Sequence, residues 1–135
     1  MHGVQELNQG VRELCVNKYQ TDKFWDFVMA ANEKCDYTNV DTCWEQVAKY
    51  VGVKTEQIKT CQNDEAVSLL EEEIKLNAEY EASGSPTIIL NGEAYTGSRT
   101  PEAFKQAVCS SFNNAPEACS QILDDSGATA EGSCN

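Results

Sequence analysis

The sequence predicts an α+β chain that is mostly helical: disulfide-stapled helices come first, one β-hairpin follows, and further helices close the chain. Three observations carry this. Apolar residues recur at helical spacing through most of residues 3–82. An Asn91-Gly92 pair then sits between two β-prone runs, and that dipeptide tolerates the positive φ that a tight hairpin turn requires. Seven cysteines in 135 residues point to covalent staples.

The elements follow in order. Val4, Leu7, Val11, Leu14 and Cys15 give an amphipathic helix over residues 3–18. Thr21 and Asp22 are cap residues for a second helix bearing Phe24, Trp25, Val28 and Met29, whose aromatic density marks it as the centre of the helical core. Asp41 opens a third helix with Trp44, Val47, Ala48 and Val51, and Gly52 stops it. Thr55 opens a short fourth helix ending near Cys61, and Asn63-Asp64 lead into a long one with Val67, Leu70, Ile74 and Ala78. Its Glu71-Glu72-Glu73 run reads as a solvated face. Ser83-Gly84-Ser85 breaks the pattern. Residues 86–90 and 93–96 read as the two strands, with Gly97 ending the second. Thr100-Pro101-Glu102 is a helix start, because Thr caps well, Pro suits the first helical position and an acid complements the dipole. Phe104, Ala107, Val108 and Phe112 are its apolar face. Pro116 starts a last short helix through Ile122 and Leu123, and residues 124–135 read as a flexible tail.

Charge and composition narrow the function. The formal net charge is −12, which repels nucleic acid and anionic lipid, so neither partner is expected. No stretch is apolar enough to span a bilayer, and Met1 to Gln9 lacks the apolar segment of a secretory signal. No metal site is expected: His2 is the single histidine, and the two nearest cysteines, Cys35 and Cys43, stand too far apart for a structural zinc pair. No cofactor is expected either. Disulfides imply an oxidising, extracytoplasmic compartment, whether secreted, periplasmic or a secretory or lysosomal lumen. The alternative is a set of buried free thiols. The odd count leaves one cysteine over.

Residues 83–92, Ser-Gly-Ser-Pro-Thr-Ile-Ile-Leu-Asn-Gly, resemble the cis-proline segment of DsbA-like thioredoxin-fold proteins. Residues 95–104 continue that family's order of second strand and final helix without a gap. Residues 1–82 then look like the helical insertion of such proteins, and residues 83–112 like their cis-proline loop, hairpin and helix. The start, with His2-Gly3, Glu6, Asn8 and Cys15, is similar to the segment after the active site of gamma-interferon-inducible lysosomal thiol reductases. Both families place a strand, a Cys-x-x-Cys turn, a helix and a second strand ahead of this point. Residues 1–123 are thus expected to form an incomplete thioredoxin-like domain.

The resemblance implies thiol–disulfide oxidoreductase chemistry, yet no cysteine pair here has the Cys-x-x-Cys spacing. That chemistry needs a thiolate and a resolving thiol close by. Cys43, near a helix start, is the best placed for a thiolate, but Asp41 and Glu45 flank it and oppose deprotonation. No catalytic residue is therefore assigned. Structural roles fit better: Cys35 with Cys43 and Cys109 with Cys119 each bracket a short connection, and Cys15 with Cys61 would close the helical insertion. Six cysteines allow fifteen pairings, so the assignment stays open. The resemblance places the substrate contacts at Ser85, Pro86 and Thr87, with Ser85–Pro86 cis. The competing reading has Pro86 merely beginning a strand. His2 would lie beside the active site of the intact fold, or simply be exposed. Trp25, Trp44, Phe24 and Phe27 read as core, and Arg99 as a partner for a carboxylate.

The leading expectation is a part, or a redox-silent relative, of an extracytoplasmic thiol–disulfide oxidoreductase acting on protein disulfides. The alternatives are a non-catalytic peptide- or protein-binding module of the same fold, or a saposin-like helical lipid-binding domain. A protein or peptide partner is expected, and the open sheet edge allows an edge-strand dimer.

Overall fold

The computed structural model describes residues 3–84 and 87–127. Its elements are α1 (Val4–Tyr19), α2 (Phe24–Lys34), α3 (Val40–Tyr50), α4 (Thr55–Glu79), β1 (Ile89–Leu90), β2 (Glu93–Ala94) and α5 (Pro101–Ser110), with single 3-10 turns at Thr21–Lys23 and Glu117–Ser120. This is the mostly helical α+β arrangement with one hairpin. The chain divides into two compact units, Met1–Lys75 and Leu76–Asn135.

In the first unit α1, α2 and α3 pack against one another and the start of α4 completes the core. Val11, Cys15 and Val16 of α1 meet Phe27, Ala30 and Ala31 of α2, Trp44, Val47 and Ala48 of α3, and Ile58, Cys61 and Leu69 of α4. The buried stripe of α2 is Phe27, as expected, with Ala30 and Ala31, and the expected Phe24 packs partly buried against it. Trp25 and Met29 lie in solvent. Two alanines let α2 approach its neighbours closely, and bulky side chains on that face would hold it off. Thr21 and Asp22 form the 3-10 turn and give no side-chain cap to α2. The Thr21 hydroxyl instead donates back to the Asn17 carbonyl.

Asp41 does not cap α3 either. It sits in the first turn and accepts from Arg12 Nη2 at 2.7 Å. Arg12 is 5 % exposed, and its guanidinium lies 4.9 Å from the Trp44 ring centre. This pair ties α1 to α3. Gly52 ends α3 at φ +82°, with Val53 N–H bonded to the Ala48 carbonyl and Gly52 N–H to that of Lys49. That is a Schellman closure, where a positive φ favours glycine.

The expected fourth and fifth helices are one. α4 runs through Asn63 and Asp64, which are weak helix formers but not breakers. Its buried positions Ile58, Cys61 and Leu69 continue one stripe, and Val67 and Ile74 are exposed. The helix also stops before Ser83-Gly84: Glu81 takes φ +50°, Ala82 N–H bonds the Asn77 carbonyl and Glu81 N–H that of Ala78. The same closure as at Gly52 is made here without glycine.

In the second unit β1 and β2 pair antiparallel with Ile89 opposite Ala94 and Leu90 opposite Glu93. Asn91 and Gly92 turn at φ +51° and +85°, as a two-residue hairpin of this hand requires. The strands are shorter than the expected 86–90 and 93–96. Among the described residues only the bond from Tyr95 N–H to the Ile88 carbonyl extends the ladder, at 2.9 Å, since a two-stranded pair has little to hold its ends. Thr100 caps α5 by accepting from Ala103 N–H at 3.2 Å, with Pro101 in the first turn. Val108 and Phe112, expected on the buried face of α5, are about half exposed. The last expected helix is only the 3-10 turn, and Ile122 and Leu123 lie beyond it, exposed.

Candidate functional site

Hairpin geometry decides which backbone groups a partner could reach. In this register Leu90 and Glu93, which flank the turn, form the bonded pair, and Ile88 and Tyr95 form the next. Alternation then directs the amide and carbonyl of Thr87 and Ile89 to the outer edge of β1. Thr87 is exposed, and its hydroxyl donates to the Gly84 carbonyl at 2.5 Å, which closes the loop just ahead of the strand. Of the three residues the sequence implicates, Thr87 stands on this edge. Ser85 and Pro86 lie outside the described residues, as do His2 and Cys134.

Behind the hairpin a polar network fixes α5. Tyr95 Oη donates to the Ser98 carbonyl at 2.6 Å, and its ring lies 5.3 Å from that of Phe104. Thr100 donates to Asp125 Oδ1 at 2.8 Å. Glu102 accepts from Lys105 Nζ at 2.7 Å, Leu123 N–H at 2.7 Å and Gln106 Nε2 at 2.9 Å. Led by the Lys105 ammonium, these donors hold its carboxyl down at about 2. Asp124 accepts from the Glu102 amide at 3.1 Å. The first two residues of the expected tail are therefore bonded to α5.

The six described cysteines form three bridges: Cys15–Cys61, Cys35–Cys43 and Cys109–Cys119. Cys15 and Cys61 are fully buried, and the other four are partly buried. Cys43, the best-placed candidate thiolate, is bonded to Cys35. Its local environment therefore supplies no nucleophile in this oxidised state.

The helical unit also carries a groove that sequence reasoning missed. It encloses about 310 Å³ between α1 and the connection from α2 to α3, and Glu6, Gln9, Glu13, Asn32, Asp36 and Tyr37 line it. Partial burial raises the pKa of Glu13 against the opposing hydrogen bond from Gln9. Asp36 is lowered by the Thr38 hydroxyl and by the Thr38 and Asn39 amides. Among the described residues no lysine or arginine lines the groove. The residues come from positions far apart in sequence, and no local motif announces them. Among the described residues no group of three or more His, Cys, Asp or Glu side chains could hold a metal ion, and no helix is long and apolar enough to cross a membrane.

Comparison with known proteins fits this picture. Residues 1–109 match the vacuolar sorting receptor thioredoxin-like domain. Two curated relatives come from Arabidopsis thaliana. Vacuolar-sorting receptor 5 is 25 % identical over 86 % of this chain and 21 % of its own length. Vacuolar-sorting receptor 6 is 25 % identical over 81 % of this chain and 20 % of its own length. The chain thus spans about a fifth of the length of these relatives. No solved structure matches significantly. The thioredoxin-like reading and the bridges of an extracytoplasmic domain stand together, and the chain belongs to the family of thioredoxin-like domains of vacuolar sorting receptors.

Proposed function

We propose that this chain is a non-catalytic, protein-binding module of a sorting receptor, working in the lumen of the secretory pathway. In this reading residues 1–82 are the helical insertion of a DsbA-like thioredoxin fold, and residues 83–112 are its cis-proline loop, hairpin and helix. A partner's extended segment adds to the outer edge of β1, beside Ser85, Pro86 and Thr87. The observation that carries the reading is the outward backbone edge at Thr87 and Ile89 in a chain whose six described cysteines are all bridged. Main-chain bonds to such an edge give affinity, and neighbouring side chains select sequence. The receptor names of the relatives favour binding over the oxidoreductase reading.

The test titrates the full chain with a pool of synthetic ten-residue peptides of varied sequence and follows backbone amide shifts. Shifts at Thr87 and Ile89 are expected. Ile89→Pro removes an outward donor and spares the ladder, so it is expected to weaken binding about tenfold. Binding that leaves these amides unmoved sinks the proposal. Reduction of insulin disulfides by the full chain with a dithiol, above the dithiol's own rate, would return the oxidoreductase reading.

A further inference from the structure

Three of the largest apolar side chains of the helical unit gather in solvent around one concavity. Trp25 is 71 %, Met29 67 % and Tyr50 75 % exposed. With Ala30 and Val51 they line an open groove of about 480 Å³ along α2 and the end of α3. Single exposed apolar residues are ordinary, but a Trp, a Met and a Tyr around one hollow have the composition of an interface centre. The other lining residues are Asp26 and Glu33. They stand on the Met29 face of α2, in its first and last turns, about 10 Å from each other along the axis. Among the described residues no cation lines the groove. Lys23 lies 3.9 Å from Asp26 outside it, and Lys34 is drawn over the Tyr50 ring at 5.1 Å. The net charge of −12 adds a field of the same sign.

We propose that this groove docks a segment of a partner protein in which apolar side chains are flanked by two basic residues about 10 Å apart. The apolar part covers Trp25, Met29 and Tyr50, and the basic groups meet Asp26 and Glu33. A helical segment presents residues seven apart on one face at that spacing, with the third and fourth positions between them, so Lys-Ala-Ala-Leu-Leu-Ala-Ala-Lys is the simplest match. This surface is separate from the β1 edge, and either can fail alone.

The experiment titrates a synthetic helical peptide carrying Lys-Ala-Ala-Leu-Leu-Ala-Ala-Lys into the full chain, with a counterpart that has glutamate for both lysines. Trp44 is 4 % exposed, so a change in indole emission reports Trp25. The lysine peptide is expected to shift emission to the blue and to move the Met29 methyl resonance. Asp26→Asn with Glu33→Gln is expected to weaken it about tenfold, and the glutamate peptide to leave both signals unchanged. Trp25→Ser is expected to abolish the Met29 shift and leave the melting temperature in place. An equal response to both peptides, or none to the lysine peptide, overturns the proposal. So does sedimentation of the chain alone as a dimer that Trp25→Ser returns to monomer, which would make a second copy the occupant. A melting temperature lowered by Trp25→Ser would make Trp25 a core residue and overturn it too.

Discussion

The two units reach order by different physics. The helical unit has a hydrophobic core in which Phe27, Ile58, Val16, Cys15 and Cys61 are fully buried. Among the described residues of the hairpin unit no apolar side chain is buried to the core level, and only Thr100 is. Its order comes from directional bonds: the Cys109–Cys119 bridge, the Thr100 cap, the Tyr95 hydroxyl and the donors gathered on Glu102. Burial scales with area and tolerates small changes of angle, whereas hydrogen bonds and caps depend on single atoms. The helical unit should therefore fail as a whole, and the hairpin unit bond by bond.

The largest effect should come from the bridge inside the core. Cys15–Cys61 closes a separation of 46 residues, worth about 4 kcal/mol by chain entropy. The double substitution Cys15→Ala and Cys61→Ala should cost about that in urea denaturation, with loss of the buried Trp44 emission. Cys109–Cys119 closes a separation of 10, worth about 3 kcal/mol on the same scale. Its removal should speed amide exchange in α5 and leave Trp44 emission in place. If both pairs quench Trp44 alike, the contrast between the units is wrong.

What was legible in the sequence follows the same division between local and distant causes. The hairpin turn, the Thr100-Pro101 start of α5 and the stop at Gly52 were readable because each is set by residues that touch their own neighbours. The exposure of Trp25 and Met29 was not, because helical periodicity names several possible faces. The choice of Ala30 and Ala31 beside the expected Phe27 was made by how closely α1 and α3 approach. The join of two expected helices into α4 was missed because Asn63-Asp64 resemble a cap as well as a helix interior. The Arg12–Asp41 pair and the groove at Glu13 and Asp36 combine residues from distant segments, so no spacing reveals them. The proposed binding edge was legible only in part: the turn fixes which amides of β1 point outward, and a resemblance supplied the rest.

A smaller effect should sharpen the contrast. Thr100→Ala removes the side chain that satisfies Ala103 N–H and donates to Asp125. The expected cost is about 1 kcal/mol, read as faster exchange at the first turn of α5. No change there would mean that the bridge alone orders this helix.

The smallest effect is a response to acid with opposite signs at two carboxyls, one in each unit. Glu102 has a folded pKa near 2 against an ordinary value of 4.5. Its ionised form is favoured by folding, so its contribution is present above 4.5 and lost as pH falls toward 2. Glu13 is displaced the other way by burial. Folding disfavours its ionised form, so its cost is felt above its folded pKa and disappears as pH falls through the ordinary carboxylate range. Carboxyl carbon shifts followed by NMR should show Glu102 titrating well below, and Glu13 above, the ordinary glutamate value of 4.5. Glu102→Gln should flatten the acid sensitivity of α5 exchange. Glu13→Gln should slightly raise the stability of the helical unit at neutral pH and leave α5 unaffected. Acidification thus weakens what Glu102 holds in the hairpin unit and removes the cost of ionised Glu13 in the helical unit, where Asp36 and Glu65, held low by their own hydrogen-bond donors, respond as Glu102 does. A common sign for both carboxyls would show that their surroundings are not the ones that distinguish the two units.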